Sequence, residues 1–305
     1  MPRIVLSRAP TPPALLRDDA SSWLSVALLR VAAAGALLAP MAAATRIAGA
    51  FARDRIEADR SAHALAILGI PARPLAVERL GGGRSNAVYK LRFPDRTLVL
   101  KQALSEGTLL ALAARWVGPQ PYGAVSAAAR IGREAHALRL LHAAGVPVPR
   151  VIAANADAGL LLLEHVEGEP LPGTLERPGA ATRIRAYAAA VRAAHAAGVA
   201  LTDGHPGNAL VAADGTVTLI DLEFAETAVD LGTGFAARCA FDLAYAAQYF
   251  EGEERRVFLS AVDVDTQIRG AAARLTAFGL LFELERRRQR KTTAIANAWP
   301  AWRAA

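Results

Sequence analysis

One run constrains this chain more than any other: LTDGHPGNALVAADGTVTLIDLEFA, from Leu201 to Ala225. Asp203 and Asn208 lie five apart in a loop rich in Gly and Pro. Two short apolar stretches follow, Ala209 to Ala212 and Thr216 to Ile220, around the turn residues Asp214-Gly215. That pattern predicts a β-hairpin. A hairpin brings the chain back on itself, so Asp221 returns beside Asn208. One carboxylate and one amide oxygen then converge, hard ligands suited to a Mg²⁺ ion carried in with phosphates. Asp203 is left over to orient or deprotonate a hydroxyl nucleophile.

Upstream, the texture changes several times. Residues 1–18 are Pro-rich. Residues 19–39 read as an apolar helix and 41–68 as an amphipathic one, stopped by Gly69 and Pro71. Leu75 to Leu80, Asn86 to Phe93 and Thr97 to Gln102 read as an antiparallel meander. A helix-rich stretch from about 105 to 143 is cut by Pro119 and Pro121. Val151 to Ala154 and Leu160 to His165 read as two more strands. After Pro172 the pattern is helical apart from the one hairpin. The order is an N-terminal helical extension (1–70), five strands enclosing a helix (71–166) and a helical half (167–305), an α+β plan in two lobes.

Asp203-x4-Asn208 followed by Ile220-Asp221 resembles the catalytic loop and metal-binding Asp of the protein-kinase-like superfamily. It is nearest to the atypical branch: aminoglycoside and choline phosphotransferases, RIO-type kinases, lipopolysaccharide sugar kinases and UbiB-like proteins. DGHPGN resembles the DPHPGN of UbiB-like proteins, and IDLEFA the IDFE-type motif of choline kinases. The resemblance spans about residues 75–250 and implies a two-lobed kinase-like fold using ATP and Mg²⁺. It assigns Asp203 to catalysis and Asn208 and Asp221 to the metal. Gly81, Gly82, Gly83 and Ser85 fall where a glycine-rich turn covers the phosphates. Lys101 falls where a strand lysine meets the α- and β-phosphates, and Glu134 where a helix glutamate pairs with it. Glu164 to Val166 fall where backbone groups meet adenine, and Asp242 where a helix Asp props the catalytic loop.

The chain departs from that plan in several places. Leu201 stands where the loop usually has a His, and no Ala-Pro-Glu follows Asp221. About twenty residues, including Trp116 and Tyr122, are inserted between Lys101 and the Glu134 helix. Glu134 lies among Arg130, Arg133 and Arg139, so a helix-surface ion pair is the alternative for it. Glu223 is open between a metal or substrate contact and a local cap. His205 reads as a structural hydrogen-bonding group, and His142 and His195 as surface or partly buried helix residues. The run Arg286 to Lys291 reads as a solvated helix end, with an anionic lipid or nucleic acid as the alternative contact.

Composition bounds the rest. Of 35 basic residues only Lys90, Lys101 and Lys291 are lysines, so the net charge of +7 reflects an Arg-rich bias. With 6% aromatics there is little for base stacking, and nucleic acid is not expected as a partner. The single cysteine, Cys239, excludes an internal disulfide and a Cys-rich zinc site. The longest uncharged N-terminal run, Val31 to Thr45, is 15 residues, short of the roughly 20 a spanning helix needs. The expectation is a cytoplasmic Mg-ATP-dependent phosphotransferase acting on a hydroxyl of a small-molecule or lipid-linked acceptor. Peripheral membrane contact through residues 19–68 is compatible with it. The alternatives are a RIO-type protein Ser/Thr kinase, a UbiB-like ATPase and a non-catalytic pseudokinase module.

Overall fold

The computed structural model describes residues 58–81, 86–104 and 126–290. The expected helix at 19–39, most of that at 41–68, and the insertion with Trp116 and Tyr122 lie outside the described residues. So do Gly82, Gly83 and Ser85 of the glycine-rich run.

Helix α1 (Ala58–Ile67) leads into a five-stranded antiparallel sheet of β1 (Ala76–Gly81), β2 (Asn86–Arg92), β3 (Thr97–Ala103), β4 (Val151–Asn155) and β5 (Leu160–Glu164), in the order β1-β2-β3-β5-β4. Helix α2 (Ala127–Ala143) is inserted between β3 and β4. Alternation decides which face of the sheet each side chain takes. In the run Leu160 to Leu163, the even-numbered pair joins Tyr89, Leu91, Leu98 and Leu100 in a core closed by Ala64 and Leu65 of α1. The odd-numbered pair joins Ile131, Leu138 and Leu141 of α2 in the main core. A strand buried on both faces reads as a continuous apolar run, as LLLL does. The described part of the 19–68 segment thus puts apolar residues onto its own sheet. No helix among the described residues is long and apolar enough to cross a membrane.

The second half begins with β6 (Glu169–Pro170) and α3 (Leu171–Thr174), then the Ala-rich α4 (Ala180–Ala196). The predicted hairpin is β8 (Ala209–Val211) and β9 (Val217–Leu219). Two features correct the expectation of a lone hairpin. Strand β6 adds a third strand to it, pairing with β8. A separate two-stranded ladder joins β7 (Val199–Ala200) to β10 (Glu226–Thr227) and so clips both ends of the Asp203-to-Asp221 region together. Strands of two residues carry no periodicity to read. The chain then runs through α5 (Ala228–Leu231), α6 (Phe235–Ala247), α7 (Gly252–Val262), α8 (Thr266–Leu275) and a helical stretch over 279–290, here α9. The predicted basic helix end is internally paired. Arg286 bonds Glu251 and Glu283, Arg287 bonds Glu283, Arg288 bonds Glu285 and Arg290 bonds Glu254. Arg287 and Arg288 keep 76% and 72% side-chain exposure while so paired.

Candidate active site

The site lies where the sheet, α2 and the β8–β9 hairpin meet. Strand β3 presents Lys101 on the face that α2 covers, and α2 presents Glu134 to it. Lys101 Nζ lies 2.7 Å from both carboxylate oxygens of Glu134. Both residues are buried, at 5% and 1% exposure, so the surface ion-pair alternative for Glu134 is overturned. The same ammonium also reaches Asp221 Oδ1 at 2.7 Å. Burial works against the charge on Lys101, but Asp221 and Glu134 outweigh it and hold the ammonium above its usual pKa. The Leu222 N–H donates to Glu134 Oε1 at 3.3 Å, tying the segment after Asp221 to the helix.

The hairpin brings Asp221 back to Asn208, as its turn chemistry requires. Ala209 pairs with Leu219, and the Ile220 N–H donates to Asn208 O at 2.9 Å. Asn208 Nδ2 donates to the Asp203 carbonyl at 3.0 Å, which turns the amide oxygen away as the group suited to a cation. Burial pushes the Asp221 carboxyl up, and Lys101 overrides it and holds the group below the usual carboxylate range. Its side chain keeps 41% exposure, so it can meet a ligand. Asp203 is different. Burial, then the nearby Asp221 charge, raise its pKa well above the usual range, although a hydrogen bond from Tyr245 at 3.2 Å favours the ionised form.

The loop carrying Asp203 is held from beneath. Asp242 on α6, fully buried, accepts the Leu201 N–H at 2.6 Å and the Thr202 N–H at 2.8 Å. His195 Nε2 meets the same carboxylate at 3.0 Å. Thr202 has φ +64° and Asp221 φ +60°, two of only three non-glycine residues in the left-handed region among the described residues. Such conformations cost about 1–3 kcal/mol each and persist only where the surroundings fix them. Gly204 is required by space: a Cβ there would lie 2.7 Å from Leu201 Cδ1. Tyr187 donates from its hydroxyl to the Gly204 carbonyl. His205 stacks on Tyr249 at 5.2 Å and meets Gln289 of α9 at 3.3 Å. Burial lowers its pKa to about 4, which makes it a neutral packing group and not a proton donor near pH 7.

At the candidate hinge, Glu164 is exposed and Val166 half-buried. The Glu164 N–H donates to Arg150 O at 2.9 Å and the His165 N–H to Thr97 O at 3.4 Å. Those two N–H groups are therefore engaged within the protein. Gly81 ends β1 opposite Val88, just past a register shift from Arg79.

Sequence reasoning missed His195, Tyr187 and Tyr245, read as ordinary helix residues or passed over. A signal existed for the tyrosines. In a chain with five tyrosines, Tyr187, Tyr245 and Tyr249 fall in Ala-rich apolar stretches, and a buried Tyr hydroxyl must find a partner.

The residues present fit a divalent cation. Among the described residues, the cluster sets Glu134, Asp221 and the neighbouring Asp203 against Lys101, with the Arg130–Glu223 pair beside it. The excess negative charge is felt within it. Burial and then Asp221 push the Glu223 carboxyl up to about 7. Among the described residues no group of three His, Cys, Asp or Glu could hold a metal alone, so a metal here needs ligands from a bound molecule as well.

The strand order, the α2 insertion and this site follow the two-lobed plan that the resemblance to protein-kinase-like proteins implies. Residues 76–201 match the model of a phosphotransferase enzyme family (APH), the stretch from β1 to the edge of the Asp203 loop. No curated protein matches the chain. Among solved structures, it is similar to the Rio2 kinase–ADP/Mg²⁺–phosphoaspartate complex from Chaetomium thermophilum. Identity is 16%, over 77% of this chain and 74% of that one, with a TM-score of 0.46. It is also similar to Rv3197 of Mycobacterium tuberculosis in complex with erythromycin, at 17% identity over 80% and 68% of the two chains, with a TM-score of 0.43. At these values the two likenesses add nothing to the argument from strand order and site.

Proposed function

We propose that this chain is a Mg-ATP-dependent phosphotransferase that moves the γ-phosphate of ATP to a hydroxyl of a small-molecule or lipid-linked acceptor. The observation that carries the reading is the single ammonium of Lys101 shared between Glu134 and Asp221, next to a separately anchored Asp203–Asn208 loop. The family match over residues 76–201 supports phosphotransfer as the reaction class.

In this reading Lys101, fixed by Glu134, meets the α- and β-phosphates, and the turn containing Gly81, Gly82, Gly83 and Ser85 covers them. Backbone groups of Glu164 to Val166 meet adenine. Asn208 and Asp221 hold Mg²⁺, which when bound neutralises phosphate charge and fixes its geometry. Asp203 accepts a hydrogen bond from the acceptor hydroxyl and aims its oxygen at the γ-phosphorus. The new O–P bond forms as the bond to ADP breaks, and the hydroxyl proton passes to Asp203. The raised pKa of Asp203 suits it to receive that proton. Most of the rate enhancement comes from positioning and charge neutralisation.

The test is transfer of label from γ-labelled ATP with Mg²⁺ to water and to a panel of hydroxyl acceptors. Asp203→Ala should lower turnover by about 10²–10⁴-fold while nucleotide binding persists. Asp221→Ala should abolish both turnover and Mg²⁺-dependent binding. Robust turnover in either variant would sink the assignment.

A further inference from the structure

Asn86, Arg130 and Glu223 have no part in the chemistry above, yet they meet in a second buried cluster beside it. Glu223, 6% exposed, accepts from Asn86 Nδ2 at 2.9 Å and pairs with Arg130 Nε at 3.1 Å, both on Oε2. Arg130, 1% exposed, donates from Nη2 to the Leu104 carbonyl at 2.7 Å. The sequence alternative of a local cap for Glu223 does not describe this. Asn86 is 137 positions away.

The two clusters share three elements. Leu104 stands three residues past Lys101, just beyond the end of β3. Arg130 stands four before Glu134 on α2, about one helical turn or roughly 6 Å along the same face. Glu223 stands two past Asp221. Core packing of Ile131, Leu138 and Leu141 seats α2, and two polar ties a turn apart add a fixed register between the helix and the segment after Asp221. Charge polarity alternates between the ties. The helix supplies the anion at Glu134 and the cation at Arg130, so neither tie can slip onto the other's partner. Asn86 adds the first residue of β2, which Asn86-to-Ala103 pairing joins to the strand carrying Lys101.

We propose that Glu223 is a positioning residue: through Arg130 and Asn86 it locks α2 and β2 to the Asp221 segment, and so sets the phosphate-binding geometry of Lys101 without touching metal or substrate. The inference rests on the phosphotransferase reading, because its readout is affinity for Mg·ATP. A charged buried group that loses its partner changes more than local stability, since the groups left behind must rearrange.

The experiment measures KM for ATP, kcat and the Mg²⁺ concentration for half-maximal activity in wild type, Glu223→Gln, Arg130→Lys and the double variant, with thermal midpoints alongside. Each single change should raise KM for ATP about tenfold, more than it lowers kcat. The double should be no worse than either single, because both break one tie. Asn86→Ala, which removes only the amide arm, should raise KM severalfold and serves if the charged variants fail to fold. Two results would overturn the proposal. One is multiplicative losses with a Mg²⁺ requirement raised only by Glu223→Gln, which makes Glu223 a metal ligand. The other is lowered thermal midpoints with unchanged KM, which makes the cluster merely structural. Wild type that neither binds nor turns over Mg·ATP would instead overturn the phosphotransferase reading itself.

Discussion

Asp203 carries an electrostatic cost. Its carboxyl is pushed well above 3.8 by burial first and by Asp221 second. A folded pKa above the unfolded one means the native state holds the proton more tightly. The penalty is absent below pH 3.8, grows as pH rises past that value, and is full above the folded pKa. Asp203→Asn removes the ionised group but leaves an oxygen for Tyr245. It should therefore raise the thermal midpoint at pH 7 by a few degrees, with a gain that vanishes towards pH 4. Thermal unfolding of both proteins across pH 4–8 measures this. A variant less stable than wild type at pH 7 would contradict the assigned environment of Asp203. The residue types and spacing of Asp203, Asn208 and Asp221 were legible in the sequence because a Gly/Pro loop and a hairpin leave the chain few ways to return. Of the partners, Tyr245 and Tyr187 could be suspected as buried hydroxyls in Ala-rich stretches, but which group each meets, and the role of His195, is chosen by helix packing that local sequence does not record.

Among elements, the Asp203 loop owes its shape to α6. Asp242 holds two consecutive N–H groups, Leu201 and Thr202, where the backbone passes through a left-handed β-branched residue. The resemblance pointed to Asp242 as a prop. What it could not supply is how the chain manages with Leu201 where the family's loop has a His: His195, from α4, meets the Asp242 carboxylate instead. Asp242→Ala should cost about 1–3 kcal/mol for each N–H left bare and relax the loop. The expected outcome is a lowered thermal midpoint together with a fall in kcat larger than any rise in KM for ATP, read from denaturation and steady-state kinetics. Equal kcat in a folded Asp242→Ala protein would remove the loop-prop role. At the same scale, β1 to β5 were legible because alternation and turn residues mark them. The two-residue strands β6, β7 and β10 were not, since register and pairing alone define them.

For the whole molecule, the decisive feature is uneven charge. The protein carries +7 overall, yet among the described residues three carboxylates, Glu134, Asp221 and Asp203, gather about the one ammonium of Lys101. Bulk composition, with its Arg-rich bias, does not single out a partner. The placement of charge suits the Mg·ATP of the proposed reading, an anion that brings its own cation. Anything that binds only the folded state stabilises it, by about 2.7 kcal/mol at a hundredfold excess over Kd. The most direct measurement is calorimetric titration of the protein with ATP, with and without Mg²⁺, for wild type and Asp221→Asn. Saturable one-site binding that requires Mg²⁺ and is lost in a folded Asp221→Asn protein is the predicted result. Binding that ignores both Mg²⁺ and Asp221, or no binding at all, would contradict the account.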